Sequence, residues 1–139
     1  MLQGKASDII YELGCFDATC EGSHLIPAAR RAAAAADVVI LIVGLSQEQE
    51  KEGRDRTSLR LPGHQEALVS AVVEGANGVK IVLVILSGGP LDVSFANNDP
   101  RVQSIIWAGY PGQAGGQAIA EVIFGKVNPG KYYQMWNYF

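Results

Sequence analysis

The sequence predicts an α/β fold in which a doubly wound, mostly parallel sheet is sandwiched between helices. Two runs, VVILIV at 38–43 and IVLVIL at 81–86, are rich in β-branched residues and lack polar alternation. This pattern is typical of strands buried on both faces of a parallel sheet. A helical pattern at 65–76 separates the two runs, and strands that alternate with helices favour parallel pairing through right-handed crossovers.

The first half of the chain is predicted to contain a short strand, a helix and a buried strand. Residues 8–13 show partial alternation, which predicts the short strand. Residues 26–36 are nearly all strong helix formers, and Pro27 stands at the start, where its missing N–H costs nothing. Asp37 ends this helix, and the strand at 38–43 follows with almost no loop.

The second half repeats the alternation of helix and strand. Residues 65–76 repeat apolar side chains with the 3.6-residue period of a helix, which places them on one helix face. Glycines at the end of this segment predict the end of the helix. Strands are predicted at 80–86 and 104–108, and a helix at 117–124 follows a glycine-rich turn. We therefore expect one flavodoxin-like domain that spans residues 1–139.

Composition narrows the classes of partner. The chain has 139 residues, 48% of them hydrophobic, with a mean hydropathy of +0.12 and a net charge of −3. No basic face for a phosphate backbone emerges, which argues against nucleic acid. No apolar run approaches the roughly 20 residues that cross a bilayer, so no membrane span is expected. The first residues also lack the pattern of a secretion signal.

Cys15 and Cys20 lie in a polar stretch, separated by four residues. This is not the two-residue spacing of zinc or thioredoxin-like redox sites, and no second pair would complete a metal site. A small loop disulfide is favoured, with two free thiols as the alternative. A disulfide would imply an oxidising compartment.

Acidic and basic side chains follow the first buried strand. The stretch QEKEGRDR at 49–56 belongs to a polar loop of more than a dozen residues. Open parallel sheets bind ligands outside the carboxyl ends of their strands, and a loop this long in a compact domain is usually functional or disordered. The alternative for this loop is a solvated cluster of charges.

Three ordered blocks of sequence match one known pattern. EKEGRDR…LRLPGHQ at 50–65 fits E-x-E-x-x-D-R…L-P-G-x-Q, and SGGPLDV at 87–93 fits S-G-G-P-[IL]-D-V. IWAGYPGQAGG at 106–116, with FGKVNPG at 124–130, fits W-x-G-Y-P-G-Q-x-G-G…F-G-x-x-N-P-x-G. Together with the Y-x-x-G-C…C segment that contains both cysteines, these blocks resemble glycoside hydrolase family 3, in its plant β-xylosidase and α-arabinofuranosidase branch.

The resemblance implies the second domain of a larger enzyme, an α/β sandwich between a (β/α)8 barrel and a fibronectin-like domain that this chain lacks. It implies retaining hydrolysis of xylosyl or arabinosyl oligosaccharides without a cofactor, in the cell wall or outside the cell. The barrel would supply an aspartate nucleophile, and the loop at 45–61 would supply the acid/base glutamate. Retaining hydrolysis needs these two carboxyl groups about 5–5.5 Å apart, so the isolated chain is expected to be inactive.

Within that loop, the resemblance favours Glu52 as the acid/base, with Glu50 as the alternative. The acid must keep a raised pKa to be protonated at working pH. Neighbouring guanidinium groups lower the pKa of a carboxyl group, so we expect the barrel to bury the loop. Asp55 and Arg56 would orient the acid through an ion pair or form an exposed pair. Tyr110 is a candidate for stacking on sugar, with core or interdomain packing as the favoured alternative.

The remaining motifs favour structural roles. The glycine-rich turn at 109–116 departs from the dinucleotide-binding pattern and predicts a tight strand-to-helix turn. His24 and His64 lack partners at metal-binding spacing. Ser87 is outside any G-x-S-x-G nucleophile elbow. No metal site is therefore predicted.

Two alternatives to an enzyme domain stay open. The chain could be a non-catalytic carbohydrate-binding or interaction module derived from the enzyme domain, or an unrelated flavodoxin-like ligand binder. The tail at 131–139 departs from the family pattern G-[KR]-L-P-x-T-W, which predicts an aberrant end of a truncated product and puts a last strand in doubt.

Overall fold

A computed structural model describes residues 8–129 of the chain. These residues fall into two compact units, Ile10–Tyr110 and a second unit that holds residues 8–9 and 111–129. The elements in chain order are α1 (Ile26–Ala34), β1 (Val38–Gly44), α2 (Gln65–Gly75), β2 (Lys80–Leu86), α3 (Ser94–Asn97), β3 (Val102–Trp107) and α4 (Gly115–Ile123). Only α4 belongs to the second unit.

The unit Ile10–Tyr110 contains a parallel sheet of three strands in the order β1-β2-β3. β1 pairs with β2 from Val38 opposite Lys80 to Gly44 opposite Leu86. β2 pairs with β3 with an irregularity between Ile81 and Val82. Helices occur between successive strands, so the predicted α/β sandwich class with a parallel sheet is confirmed.

The core lies between the central strand and two helices that pack on each other. α2 buries Leu68, Val69, Val72 and Val73, and β2 buries Ile81 and Leu83 completely. Each such side chain contributes about 1.5–3 kcal/mol when fully buried. The small residues of α1 let the two helices approach closely, and a Cβ at Gly75 would lie 2.7 Å from the Arg30 carbonyl oxygen.

β1 is less buried than its composition predicts. Val38 is 51% exposed and Ile42 is 54% exposed, whereas the neighbouring Leu41 and Val43 are buried. In the described residues β1 is an edge strand, because only β2 pairs with it. The exposed Ile42 between two buried neighbours shows that one face of β1 is covered and the other is not. The prediction of burial on both faces therefore holds for β2 and is wrong for β1.

The predicted strand at 8–13 is absent, since these residues take no part in the sheet of the described chain. Ile10 and Tyr11 are exposed. Apolar residues in partial alternation resemble a strand but need a partner edge, and none is formed here. Conversely, α3 was not expected, because a single turn of four residues has no periodicity to detect. The tail at 131–139 lies outside the described residues.

A disulfide between Cys15 and Cys20, with Cα atoms 5.0 Å apart, confirms the favoured pairing. The loop that it closes supports the start of α2. The His64 N–H donates to the Cys20 carbonyl at 2.9 Å, and Gln65 Nε2 donates to the Ala18 carbonyl at 2.7 Å. Gln65 also exchanges hydrogen bonds with the backbone of Gly44 at the end of β1. The cysteine loop, α2 and β1 are thereby joined through one buried side chain.

Candidate functional site

A surface cavity of about 500 Å³ lies within the unit Ile10–Tyr110, at the carboxyl ends of the strands. The acidic loop (residues 45–61) follows β1, the S-G-G-P segment follows β2, and Tyr110 follows β3. The lining includes Glu50, Arg54, Asp55, Arg56, Gly88 and Tyr110. The three strand ends therefore converge as expected for an open parallel sheet.

Glu50 is the most heavily bonded side chain of this site. Its Oε1 accepts a hydrogen bond from the Gly88 N–H at 2.5 Å and another from the Tyr110 hydroxyl. Its Oε2 accepts from the Gly89 N–H at 3.1 Å. The side chain is only 17% exposed. Both oxygens are thus engaged with groups from other parts of the sheet edge.

Arg56 adds a positive charge beside this carboxylate. Its Nη1 lies 4.0 Å from Glu50 Oε2, and its Nη2 donates to the Pro90 carbonyl at 2.6 Å. Nη1 is buried and has no hydrogen-bond partner in the described chain. Arg56 therefore ties the far side of the acidic loop to the segment that follows β2.

These contacts shift two pKa values in opposite directions. Burial alone would raise the pKa of Glu50, but hydrogen bonds from Tyr110, Gly88 and Gly89 and the charge of Arg56 favour the ionised form, so the pKa is lowered overall. Burial and the adjacent Glu50 carboxylate raise the pKa of Tyr110 to about 12. At neutral pH the pair is thus a carboxylate that accepts a hydrogen bond from a protonated phenol.

Glu52 has a different environment from Glu50. It lies in a reverse turn in which Lys51 and Arg54 form an isolated bridge and the Arg54 N–H donates to the Lys51 carbonyl at 2.9 Å. Gly53 completes the turn with a φ of +77°, a conformation that favours glycine. Glu52 is exposed. The turn therefore leaves Glu52 accessible to a group outside this chain.

Asp55 and Arg56 do not form an ion pair with each other, which was one of the two predicted alternatives. Asp55 is exposed and lines the cavity, while Arg56 turns inward to Glu50. The Arg56 guanidinium is largely buried, and a buried charge needs an opposite charge nearby. Glu50 is similarly buried and supplies that charge, whereas Asp55 is exposed. The interpretation as a plain exposed pair fits Asp55 but not Arg56.

Two aromatic residues at the end of β3 are half-exposed, so Tyr110 is not packed in the core, and its packing against another domain stays a prediction. Trp107 is 52% exposed and Tyr110 is 46% exposed. Trp107 Nε1 donates to the carbonyl and the hydroxyl of Ser87, both at 3.0 Å. Ser87 is fully buried and donates its own hydroxyl to the Gly89 carbonyl at 2.8 Å. Ser87 therefore shapes the turn after β2.

Sequence reasoning missed the backbone donors of this site. The N–H groups of Gly88 and Gly89 bind Glu50, and a Cβ at either glycine would lie about 3.1–3.2 Å from a Glu50 oxygen. The signal was the pair of glycines directly after a buried strand, which allows a carboxylate to approach the backbone closely. Nothing in the sequence indicated which carboxylate that would be.

The other motifs can be placed within their own units. The predicted tight turn before α4 is confirmed within the second unit, where the Gly115 N–H donates to the Gly112 carbonyl at 2.9 Å and a Cβ at Gly115 would strike Pro111. Across residues 8–129, no cluster of three or more potential ligands is placed to hold a metal ion. No helix in that range is long and apolar enough to cross a bilayer.

Comparison with known protein families shows the family to which this chain belongs. The model of the glycosyl hydrolase family 3 C-terminal domain matches residues 4–137. The chain belongs to glycoside hydrolase family 3. The match covers the acidic loop, the S-G-G-P segment and the glycine-rich turn, so the resemblance carried by those motifs is confirmed.

Curated relatives include plant β-xylosidases. Beta-D-xylosidase 1 of Arabidopsis thaliana is 54% identical over 131 residues, which cover 93% of this chain and 17% of that protein. Beta-xylosidase/alpha-L-arabinofuranosidase 1 of Medicago sativa subsp. varia is 47% identical over 119 residues, or 86% of this chain and 15% of that protein. The chain thus spans about a sixth of the length of these relatives.

Solved structures of family 3 enzymes share the fold. A GH3 exo-beta-xylosidase (XlnD), in complex with a xylobiose aziridine activity-based probe, superimposes with a TM-score of 0.77 at 36% identity, over 84% of this chain and 15% of that one. The Bifidobacterium adolescentis GH3 beta-glucosidase gives 0.78 at 34% identity, over 91% of this chain and 18% of that one. Family 3 structures therefore support the α/β sandwich assignment.

Proposed function

We propose that this chain supplies the acid/base half of a retaining glycosidase that hydrolyses xylosyl or arabinosyl oligosaccharides. Glu52 is the acid/base, and the nucleophile comes from a (β/α)8 barrel outside this sequence. The single observation that carries the proposal is the exposed Glu52 turn at the carboxyl edge of a family 3 sheet. The similarity to β-xylosidases supports the substrate class.

The contrast between the two glutamates supports Glu52 over Glu50. An acid catalyst must hold a proton at working pH and must reach the leaving-group oxygen. Glu50 has a lowered pKa, and both of its oxygens already accept hydrogen bonds. Glu52 is exposed in its turn and is therefore accessible to a group outside this chain. Docking against a barrel would bury Glu52 and favour its protonated form.

Tyr110 and Asp55 complete the proposed site. Asp55 lines the cavity beside the turn and offers a carboxylate to sugar hydroxyl groups, and the half-exposed ring of Tyr110 offers a face for stacking. Arg56 holds the acidic loop that carries Asp55 and Glu52. The disulfide supports a location in an oxidising compartment such as the cell exterior or cell wall.

The test of this function compares the chain alone with a chimera. In the chimera, residues 4–137 replace the matching segment of Arabidopsis Beta-D-xylosidase 1. We expect no turnover of 4-nitrophenyl β-D-xyloside by the 139-residue chain, because without a nucleophile no glycosyl-enzyme can form. The chimera should turn the substrate over.

The unmodified Arabidopsis enzyme serves as the positive control for this assay. Robust turnover by the pure chain would contradict the division of the catalytic pair between two domains. An inactive, folded chimera together with xylo-oligosaccharide binding by the chain alone would favour the alternative function, a non-catalytic carbohydrate-binding module.

A further inference from the structure

Glu50 joins three segments that leave the ends of three neighbouring strands. It belongs to the acidic loop after β1, whereas Gly88 and Gly89 follow β2 and Tyr110 follows β3. Its partners lie 38, 39 and 60 residues further along the chain. One carboxylate therefore fastens the whole edge of the sheet on which the proposed site is built.

We infer that Glu50 is a positioning residue whose carboxylate fixes the acidic loop on the ends of β2 and β3 and thereby sets the position of the turn that carries Glu52. This inference deepens the proposed function, and only its catalytic part rests on that function. The anchoring itself stands on contacts within the unit Ile10–Tyr110.

The turn is held on both of its sides. Glu50 directly precedes Lys51, the first residue of the bridge that closes the turn, and Arg56 follows two residues after Arg54, the last. Glu50 is bound to the backbone of the segment after β2, and Arg56 donates to the Pro90 carbonyl of the same segment. A short closed turn that is fixed at both sides has little freedom to reorient Glu52.

The chemistry of the contacts requires a carboxylate. The three groups that meet Glu50 are all donors, two backbone N–H groups and one hydroxyl, and an ionised carboxylate only accepts. A glutamine would bring its own N–H2 against at least one of these donors. The two glycines are fitted to the carboxylate, because a Cβ at Gly88 or Gly89 would crowd its oxygens.

The anchoring is tested on the 139-residue chain with Glu50→Gln. We expect amide exchange of Gly88 and Gly89, followed by NMR, to accelerate at least about tenfold, because hydrogen bonds to a charged group are lost. The Tyr110 pKa, followed by the ¹³C shift of its ring, should fall from about 12 toward the ordinary value of about 10. Unchanged exchange and unchanged Tyr110 titration would overturn the inference.

Glu48→Gln is the matched control. Glu48 lies in the same loop and pairs with Lys51 at 3.8 Å on the surface. Glu48→Gln therefore replaces a carboxylate by an amide in this loop without removing a contact to the strand ends. It should alter neither readout. If Glu50→Gln fails to fold, Tyr110→Phe carries the test, since it removes one donor and leaves the charge. It should accelerate Gly88 exchange about threefold, and no acceleration would overturn the inference.

The catalytic part is tested in the chimera by the pH profile of kcat/KM on xylobiose. Glu50→Gln should lower the plateau about 10- to 100-fold through misplacement of the acid while keeping the alkaline limb. Glu52→Gln should lose that limb. An alkaline limb lost in Glu50→Gln but kept in Glu52→Gln would make Glu50 the acid and overturn the positioning role, as would an unchanged plateau.

The NMR readouts and the pH profiles distinguish anchoring by Glu50 from acid catalysis by Glu52. If Glu50→Gln changes the exchange and titration readouts and lowers the plateau, while both variants keep the alkaline limb, the assignment of Glu52 as the acid fails and the anchoring by Glu50 stands. If Glu52→Gln loses the alkaline limb and Glu50→Gln leaves the NMR readouts unchanged, Glu52 is the acid and the anchoring by Glu50 fails.

Discussion

At the scale of single residues, two glutamates two positions apart have opposite environments. Glu50 accepts hydrogen bonds from three donors and lies beside Arg56, while Glu52 is exposed in a glycine-containing turn. The difference follows from long-range contacts. Glu50 meets the strand ends because Gly88 and Gly89 leave room for it, and those glycines are distant in sequence.

The lowered pKa of Glu50 makes stability depend on pH. Because the folded-state pKa lies below the unfolded value of about 4.3, its contribution is fully present above that unfolded value and is lost as pH falls through the folded pKa. We expect Glu50→Gln to reduce the free energy of unfolding by about 2 kcal/mol at pH 7. Urea denaturation should show this difference shrinking below about pH 4. A difference that is constant down to pH 2 would contradict the assignment.

At the scale of elements, glycine conformation determines how loops meet the helices and strands. Gly63, at the start of α2, has a φ of +54°, and a Cβ there would lie 2.1 Å from the Thr19 carbonyl oxygen. Gly53, in the acidic loop, has a φ of +77° but no atom within 4 Å of such a Cβ. Both positions have a left-handed backbone conformation that would strain any residue other than glycine, and they differ in crowding.

This difference predicts unequal effects of the same substitution. Gly53→Ala should cost about 1–2 kcal/mol of stability through backbone strain alone. Gly63→Ala should cost more than about 3 kcal/mol, because the cysteine loop must also move away from α2. Chemical denaturation of the two variants measures both values. Equal losses would show that the contact between the cysteine loop and α2 is loose.

The elements that the sequence predicted well are those with local signals. β2 and α2 carry unbroken apolar or periodic patterns, and both form close to their expected bounds. The predicted strand at 8–13 did not form, because alternation cannot say whether a partner edge exists. The resemblance supplied the candidate residues of the site but not their contacts, since these join Glu50 to Tyr110, 60 residues away.

At the scale of the whole molecule, the disulfide loop supports the site from a distance. The Cys15–Cys20 loop contacts the start of α2 through His64 and Gln65, and Gln65 in turn holds Gly44, the residue from which the acidic loop departs. Loss of the disulfide should therefore weaken the attachment of the loop as well as the fold.

The disulfide closes a short loop, so its effect on stability should be modest. We expect a Cys15→Ser/Cys20→Ser double variant to lose about 2 kcal/mol of unfolding free energy. Reduction of the wild-type chain with dithiothreitol should give a similar loss, and the same reagent should leave the double variant unchanged. A loss below about 0.5 kcal/mol would mean that the loop is held by its hydrogen bonds alone.

Glu52 is the proposed acid/base of this family 3 chain. This role is tested most directly by the leaving-group dependence of Glu52→Gln in the chimera. We predict a loss of about 10²- to 10⁴-fold in kcat/KM on xylobiose, whose leaving group needs protonation, and a far smaller loss on 4-nitrophenyl β-D-xyloside. Equal losses on both substrates, or the predicted pattern in Glu50→Gln in place of Glu52→Gln, would contradict the account.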